Sequence, residues 1–533
     1  MAVLSLAKRR RRGGSVAPPV PVLGNYVGSN WWRRNRARLI SLFVTACLLY
    51  GALYGLFPRA MLMPLLVPIA VLAGLIIWLL PEVDSPPTQL LSELLFAFLV
   101  ALLCWPDYMA LTLPGLPWIT AIRIVGIPLA LILLICLSVS ARFRRELSET
   151  LSAAPLVSKL LGVFAGIALL SIAFSTEKND SLSKFIVAQL YWTSIYFCAV
   201  HVFRKPGRAL QLAYLLWVII LYVGLIAMWE WRLKHLPWLG HIPSFLAVED
   251  PAVQNILTAK ARAANGIYRV QSKFTTPLGL AEFLALATPF VIHLIITHRA
   301  LAVRVAAFLT LPFVFYIVIL TDSRLGVVGF FMALLIYTLY WSMLRWRWSR
   351  NSIVGPAAIL AYPILFAAFI GATFTVPRLH NMVWGGGAQQ FSTESRKEQI
   401  EKGIPLVLSH PWGYGIGRGG PTLHFANRAG QTSIDTYFLS VALEYGIIGF
   451  FVYYGMILSS IYYGTMELVK RGARAYGMLI PLCIAMTNFF IIKSIFSQQE
   501  NHPLVFAIMG CLTAMVWQSR TDVASGRPTD AVG

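Results

Sequence analysis

The chain has 533 residues, of which 58% are hydrophobic and only 12% charged, and its mean hydropathy is +0.69. Soluble domains carry roughly 25% charged residues, so the composition excludes a water-soluble globule and predicts an all-α polytopic membrane protein. The formal charge of +22 would suit a nucleic-acid binder. The basic residues fall where membrane topology puts them, so no nucleic-acid partner is expected.

Residues 1–38 form a basic arm, with Lys8 to Arg12 and Arg33 to Arg38 flanking a Pro/Gly-containing stretch. No apolar core precedes Leu39, so a disordered cytoplasmic arm is expected rather than a cleaved signal peptide. About fourteen apolar stretches follow that are long enough to span, at roughly 20 residues each. Their centres lie near Ala46, Val71, Leu99, Ala130, Phe164, Trp192, Val218, Leu286, Leu311, Leu334, Ile364, Val452, Cys483 and Phe506. Basic clusters at Arg142–Arg145, Arg204–Arg208, Arg345–Arg350 and Lys470–Arg474 fall on one side, which makes both termini cytoplasmic. The organisation expected is membrane helices over 39–230, an outer loop over 231–276, helices over 277–372, a second outer loop over 373–434, helices over 435–518 and a cytoplasmic tail over 519–533. The six cysteines all lie in or at the ends of apolar spans. Neither a disulfide nor a cysteine metal site is therefore expected, and no metal cage or phosphate-binding glycine loop is seen; no cofactor is implied.

Chemistry is expected in the outer loops, because polar backbone is tolerated only outside the hydrocarbon or around a polar cavity. The first loop ends with Arg262, Arg269 and Lys273, cations that topology does not require there. They suggest an anionic ligand or contact with lipid headgroups. Glu282 follows about one and a half turns into the next helix. Thr321-Asp322-Ser323-Arg324 then separates two spans by a few polar residues. In the second loop Ser395 and Glu398 fit a capping box, with Ile400, Ile404, Val407 and Leu408 making an apolar stripe behind it. Arg396 beside that helix start reads as an anion site, or as a cap on a local carboxylate in an interfacial helix. His410-Pro411-Trp412-Gly413-Tyr414-Gly415-Ile416-Gly417 follows, and the chain re-enters the membrane at Asp435, with Glu444 further along. Ionisable groups there face a polar cavity or, for Asp435, simply solvent at a helix end.

In this order the motifs resemble those of the O-antigen ligase and Wzy-type polysaccharide polymerase superfamily. The stretch Arg269 to Pro277 resembles an Arg-x-x-Gly-x-Phe-x-x-Pro pattern with Ser272 in place of glycine. Ser323-Arg324, Arg396, the His410 to Gly417 turn and the Asp435 to Gly449 stretch complete the likeness. Where ligases carry His, this chain has Asp435, and Thr436 stands where they carry Asn. That departure leans toward a polymerase or a related glycan transferase.

The resemblance implies a glycosyltransferase acting on polyprenyl-diphosphate-linked oligosaccharide repeat units at the periplasmic face of a bacterial inner membrane. It would use no nucleotide sugar and no obligatory metal. Membrane lipids are expected partners, with chain-length regulator and export proteins as further ones. Arg324, Arg396, Arg269 and Lys273 are expected to neutralise the leaving diphosphate. Asp435 is the first candidate for the base, then Glu444 and Glu282. His410, Trp412, Tyr414 and Tyr437 are expected to contact sugar, as is Trp384; the aromatics could equally be an interfacial belt. O-antigen ligase, protein O-oligosaccharyltransferase and a lipid-linked oligosaccharide flippase are the competing readings.

Overall fold

The computed structural model describes residues 62–112, 118–258, 268–348, 353–375, 390–425, 434–471, 477–493 and 499–524, with 41, 44, 45, 48 and 380. The basic arm, Ala46, Arg262, Trp384 and the end of the tail lie outside the described residues. The chain divides into two compact units at Pro81. The described part of the first contains α1 (Leu62–Leu79), an 18-residue apolar helix.

The second unit is built from helices in a long series. They are α2 (Thr88–Cys104), α3 (Ala121–Val139), α4 (Ala141–Leu151) and α5 (Pro155–Ser171), then α6 (Lys178–Ala188), which runs through a π turn at Gln189–Thr193 into α7 (Ser194–Val202). Next come α8 (Arg208–Leu233), α9 (Pro251–Leu257), α10 (Pro277–Thr297), α11 (Leu301–Leu320), α12 (Arg324–Trp348) and α13 (Val354–Thr375). The last five are α14 (Gln390–Ser409), α15 (Gly419–Leu423), α16 (Tyr437–Arg471), α17 (Leu479–Lys493) and α18 (His502–Ala524).

Among the described residues, 9 helices are long and apolar enough to cross a membrane, and three shorter apolar helices lie within α2, α13 and α17. Every expected span centre except Ala46 falls inside a helix. The protein is an all-α, multi-pass membrane protein, as the composition implies.

Two helices form the interior. The apolar windows of α10 and α18 are 89% and 94% buried, against 28% for α5 and α11. Both are apolar on all sides, the pattern of a helix surrounded by other helices. Small residues let α12 approach α10 closely: a side chain at Gly326 would meet the Ala281 Cβ at 2.8 Å, and one at Gly329 the Ala285 Cβ at 2.6 Å. Asn488 of α17 donates to the Ala285 and Gly329 carbonyls at 2.9 and 3.1 Å, the kind of polar glue that holds helices together where the hydrophobic effect does not.

The basic cluster Arg142, Arg144 and Arg145 follows α3 and forms a helix of its own, α4. Arg144 donates to the Leu137 and Ser138 carbonyls at 2.7 and 2.9 Å, satisfying the open end of α3. Ser395 is not an N-cap. Helix α14 begins at Gln390, so Ser395 and Arg396 sit in its second turn, where no free N–H groups remain to bind an anion.

Candidate active site

The glycine-rich segment after α14 is joined to α16 through a break in that helix. Gly446 has φ 73° and ψ −177°, which interrupts the helical hydrogen bonds and frees the Leu443 and Glu444 carbonyls. Tyr414 N–H donates to Leu443 O at 2.7 Å, and Gly415 N–H to Glu444 O at 3.1 Å. Ile447 N–H donates back to Pro411 O at 2.9 Å. The loop glycines make this splice possible. Gly413 (φ 84°) has no room for a side chain, since a Cβ would lie 2.6 Å from Glu444 O and Gly446 N. Further on, the Ile416 carbonyl accepts the Ser181 hydroxyl at 2.9 Å, and the Gly417 carbonyl accepts Lys184 Nζ at 3.1 Å. The loop is thereby fixed to α6.

Glu444 is carried into this seam. It is buried, accepts the Ser440 hydroxyl at 3.1 Å, and faces the backbone of Gly417 and Gly419. It lines a cavity of about 620 Å³ with Lys184.

A second cluster forms where α12, α14 and the start of α16 meet. Arg324 and Arg396 come close enough for their charges to repel, and Arg396 also lies within the field of Asp435. Arg324 Nη2 and Arg396 Nε are buried without a hydrogen-bond partner. Between them and α16 stands Gln399, fully buried, whose Oε1 accepts both the Asp435 N–H and the Thr436 hydroxyl at 2.9 Å. Its Nε2 is buried and has no partner. Burial lowers the Arg396 pKa and Asp435 opposes that shift. Burial raises the Asp435 pKa, and Arg396 only partly offsets it. This site therefore has three unused donors and one carboxylate whose proton affinity is increased.

Arg269 stands behind the cluster. Its Nε donates to Thr321 O at 2.9 Å and the guanidinium lies 4.0 Å from Asp322, so it braces the turn that presents Arg324. Lys273 is buried, donating to Leu102 O at 2.7 Å over the Phe274 ring, and so closes the end of α2. The turn holding both is anchored by buried Glu230, which accepts the Gln271 and Ser272 N–H groups at 3.0 and 2.6 Å. Ser272 has φ 54°, the left-handed conformation that favours glycine.

Other residues singled out from sequence are placed apart from these clusters. Glu282 is fully buried, with Lys493 Nζ at 3.3 Å and Asn501 Nδ2 at 3.0 Å. Tyr437 is buried with its hydroxyl 2.9 Å from His502 Nε2. His410 and Tyr414 pair with each other, Nδ1 to hydroxyl at 2.7 Å, at the exposed end of α14. Trp412 is exposed beside them. Gln399, Lys184 and Arg418 were not singled out from sequence. Arg418 lies 3.9 Å from Asp180 and keeps a buried Nε without a partner. Gln399 lies on the buried face of α14 with Ser395 and Val407, whereas Ile404 and Leu408 of the expected apolar stripe are 49% and 67% exposed, so the stripe pointed to a different face; Lys184 is brought in only by the docked loop.

The fold and these paired clusters define a multi-pass membrane protein with an ionisable site where its α14 segment meets the bundle. Residues 306–454 match the family described as O-Antigen ligase. The match bears out the resemblance to the O-antigen ligase and Wzy-type superfamily, and it supports a glycosyl-transfer enzyme of the O-antigen ligase or polymerase type. It contains Arg324, Arg396, the glycine loop, Asp435 and Glu444. No curated protein matches the chain.

Proposed function

We propose that the protein transfers an oligosaccharide from a polyprenyl-diphosphate carrier, and that it is a polymerase of lipid-linked repeat units working at the periplasmic face. The observation that carries this reading is the set of unused buried donors on Arg324, Arg396 and Gln399 beside Asp435. Two like charges held together and partly withdrawn from water are unfavourable unless an anion neutralises them. A diphosphate leaving group supplies that anion, and its charge grows as the bond to the sugar breaks.

In this reading the acceptor hydroxyl attacks the anomeric carbon. The carbon–oxygen bond to diphosphate breaks, and diphosphate leaves with the electron pair toward Arg324 and Arg396. Asp435 takes the hydroxyl proton, which its raised pKa favours. Arg269 positions Arg324 and Gln399 positions Asp435. Asp435 in place of His favours the polymerase over the ligase reading.

The test is to incubate detergent-purified protein with native polyprenyl-diphosphate-linked oligosaccharide, without nucleotide or added metal. A ladder of longer lipid-linked chains is the expected product. An unchanged substrate band, also after lipid A core or an acceptor protein is added, would overturn the reading.

A further inference from the structure

We infer that the cavity behind Glu444 is a separate saccharide site, built for an uncharged, hydroxyl-rich sugar; calling that sugar the acceptor rests on the transferase reading above. The cavity measures about 620 Å³, within the range of ligand pockets. Its lining does not include Arg324, Arg396 or Arg269.

The chemistry of its wall is the reverse of the arginine cluster. The cations are already engaged. Arg123 donates to the Trp118 carbonyl, and Lys184 pairs with Asp180 at 3.0 Å and with Gly417 O at 3.1 Å. The free acceptor of the wall is Asp107 Oδ1, buried without a partner, while Glu500 uses its Oε1 on Thr275. The Tyr191 side chain is nine-tenths buried, and its hydroxyl faces Arg123 without a well-formed hydrogen bond. Buried acceptors require donors, and sugar hydroxyls provide them where a phosphate or a uronate would be repelled. Burial lifts the Asp107 pKa to about 6, against the pull of Lys273.

Two further observations support a ligand here. Tyr191 lies in the π turn between α6 and α7, an irregularity frequent at functional sites. Trp118 lies in the wall and is 38% exposed, which leaves an aromatic face for a sugar ring. Ile434 is also in the wall. Ile434 precedes Asp435 in the chain, and Glu444, the second candidate base, lies in the wall itself.

The experiment is saturation-transfer NMR on the purified full chain. The probe is the saccharide freed from its native lipid-linked form by mild acid, which carries no diphosphate. Wild type is expected to bind it. Trp118→Ala and Asp107→Asn are each expected to weaken binding at least about five-fold, while Arg396→Ala, in the other cluster, leaves it unchanged. Trp118 is partly exposed, so its variant tests the site without disturbing the core. No binding by wild type, equal binding by both cavity variants, or equal loss in Arg396→Ala would each overturn the inference. A wild type that binds the sugar but leaves the lipid-linked substrate unchanged supports this site and removes the transferase reading instead.

Discussion

Gln399 and Asp435 are joined by a single bond of 2.9 Å, from the Asp435 backbone N–H to the Gln399 side-chain oxygen. It links helix α14, which carries Arg396, to the point where α16 begins. The proposed cation and the proposed base are thus held in one frame by a neutral side chain. Gln399→Met keeps the volume and removes the bond. Transfer is expected to fall by about 10²-fold, the effect of misplacing a group by about 1 Å, mainly in kcat, with the donor KM little changed. Steady-state kinetics on the lipid-linked substrate measures both.

The charge of Arg396 alone is not enough in the proposed mechanism. Arg396→Lys keeps the cation but loses the planar fork that matches diphosphate. Membrane expression should stay normal while transfer drops at least about ten-fold, one lost charge-assisted hydrogen bond. Wild-type rates in that variant would exclude the clamp.

Asp435 has a pKa raised by burial, with Arg396 pulling it back down. A base must be ionised, so activity should be lost as pH falls through that raised value. The acid limb of kcat/KM is expected above the ordinary aspartate value of about 4. Arg396→Gln removes the opposing pull and should move the limb higher still. A limb at or below the ordinary value would exclude Asp435 as the base and shift attention to Glu444.

Glycine substitutions should separate splice from scaffold. Gly413→Ala places a Cβ 2.6 Å from Glu444 O at a φ of 84°. The left-handed conformation alone costs about 1–2 kcal/mol, and the clash adds to it. Gly420→Ala meets nothing within 4 Å and has no such φ, so it should be neutral. Thermal unfolding in detergent checks the pair. Ser272 offers a parallel case: both Ser272→Gly and Ser272→Ala lose the hydroxyl bond to Val223 O at 2.9 Å, but only the glycine relieves the left-handed backbone. The glycine variant should therefore be the more stable of the two.

Glu282 and Lys493 form an ion pair with no exposed side-chain surface. Glu282→Leu leaves a buried ammonium without its carboxylate and is expected to cost about 3–5 kcal/mol. Adding Lys493→Met should recover much of that loss. Recovery of both folding and transfer in the double variant would show that Glu282 supports the bundle rather than acting as a base. Folding without transfer would return it to the list of candidate bases.

The sequence alone determined the class and the membrane order. Spans are local: about 20 consecutive apolar residues announce themselves wherever they pack. The centres from Val71 to Phe506 all fall in helices for that reason. Arg324, Arg396, Asp435 and Glu444 could also be singled out locally, because an ionisable group beside a span is costly and conspicuous.

Only the tertiary structure decided what those groups face. The break at Gly446 looks in sequence like another glycine near a helix start, yet it frees the carbonyls that receive the loop. Glu282, Tyr437 and Lys273 are as conspicuous as Asp435 in sequence, but packing encloses each of them with a partner. Gln399 and Lys184 carry no local signal strong enough to rank them. They matter because chain folding sets one beneath Asp435 and the other beneath Gly417, across separations of 36 and 233 residues. Hydrophobic pattern fixes which segments leave water; which polar groups then meet depends on helix packing, and short-range pattern does not encode it.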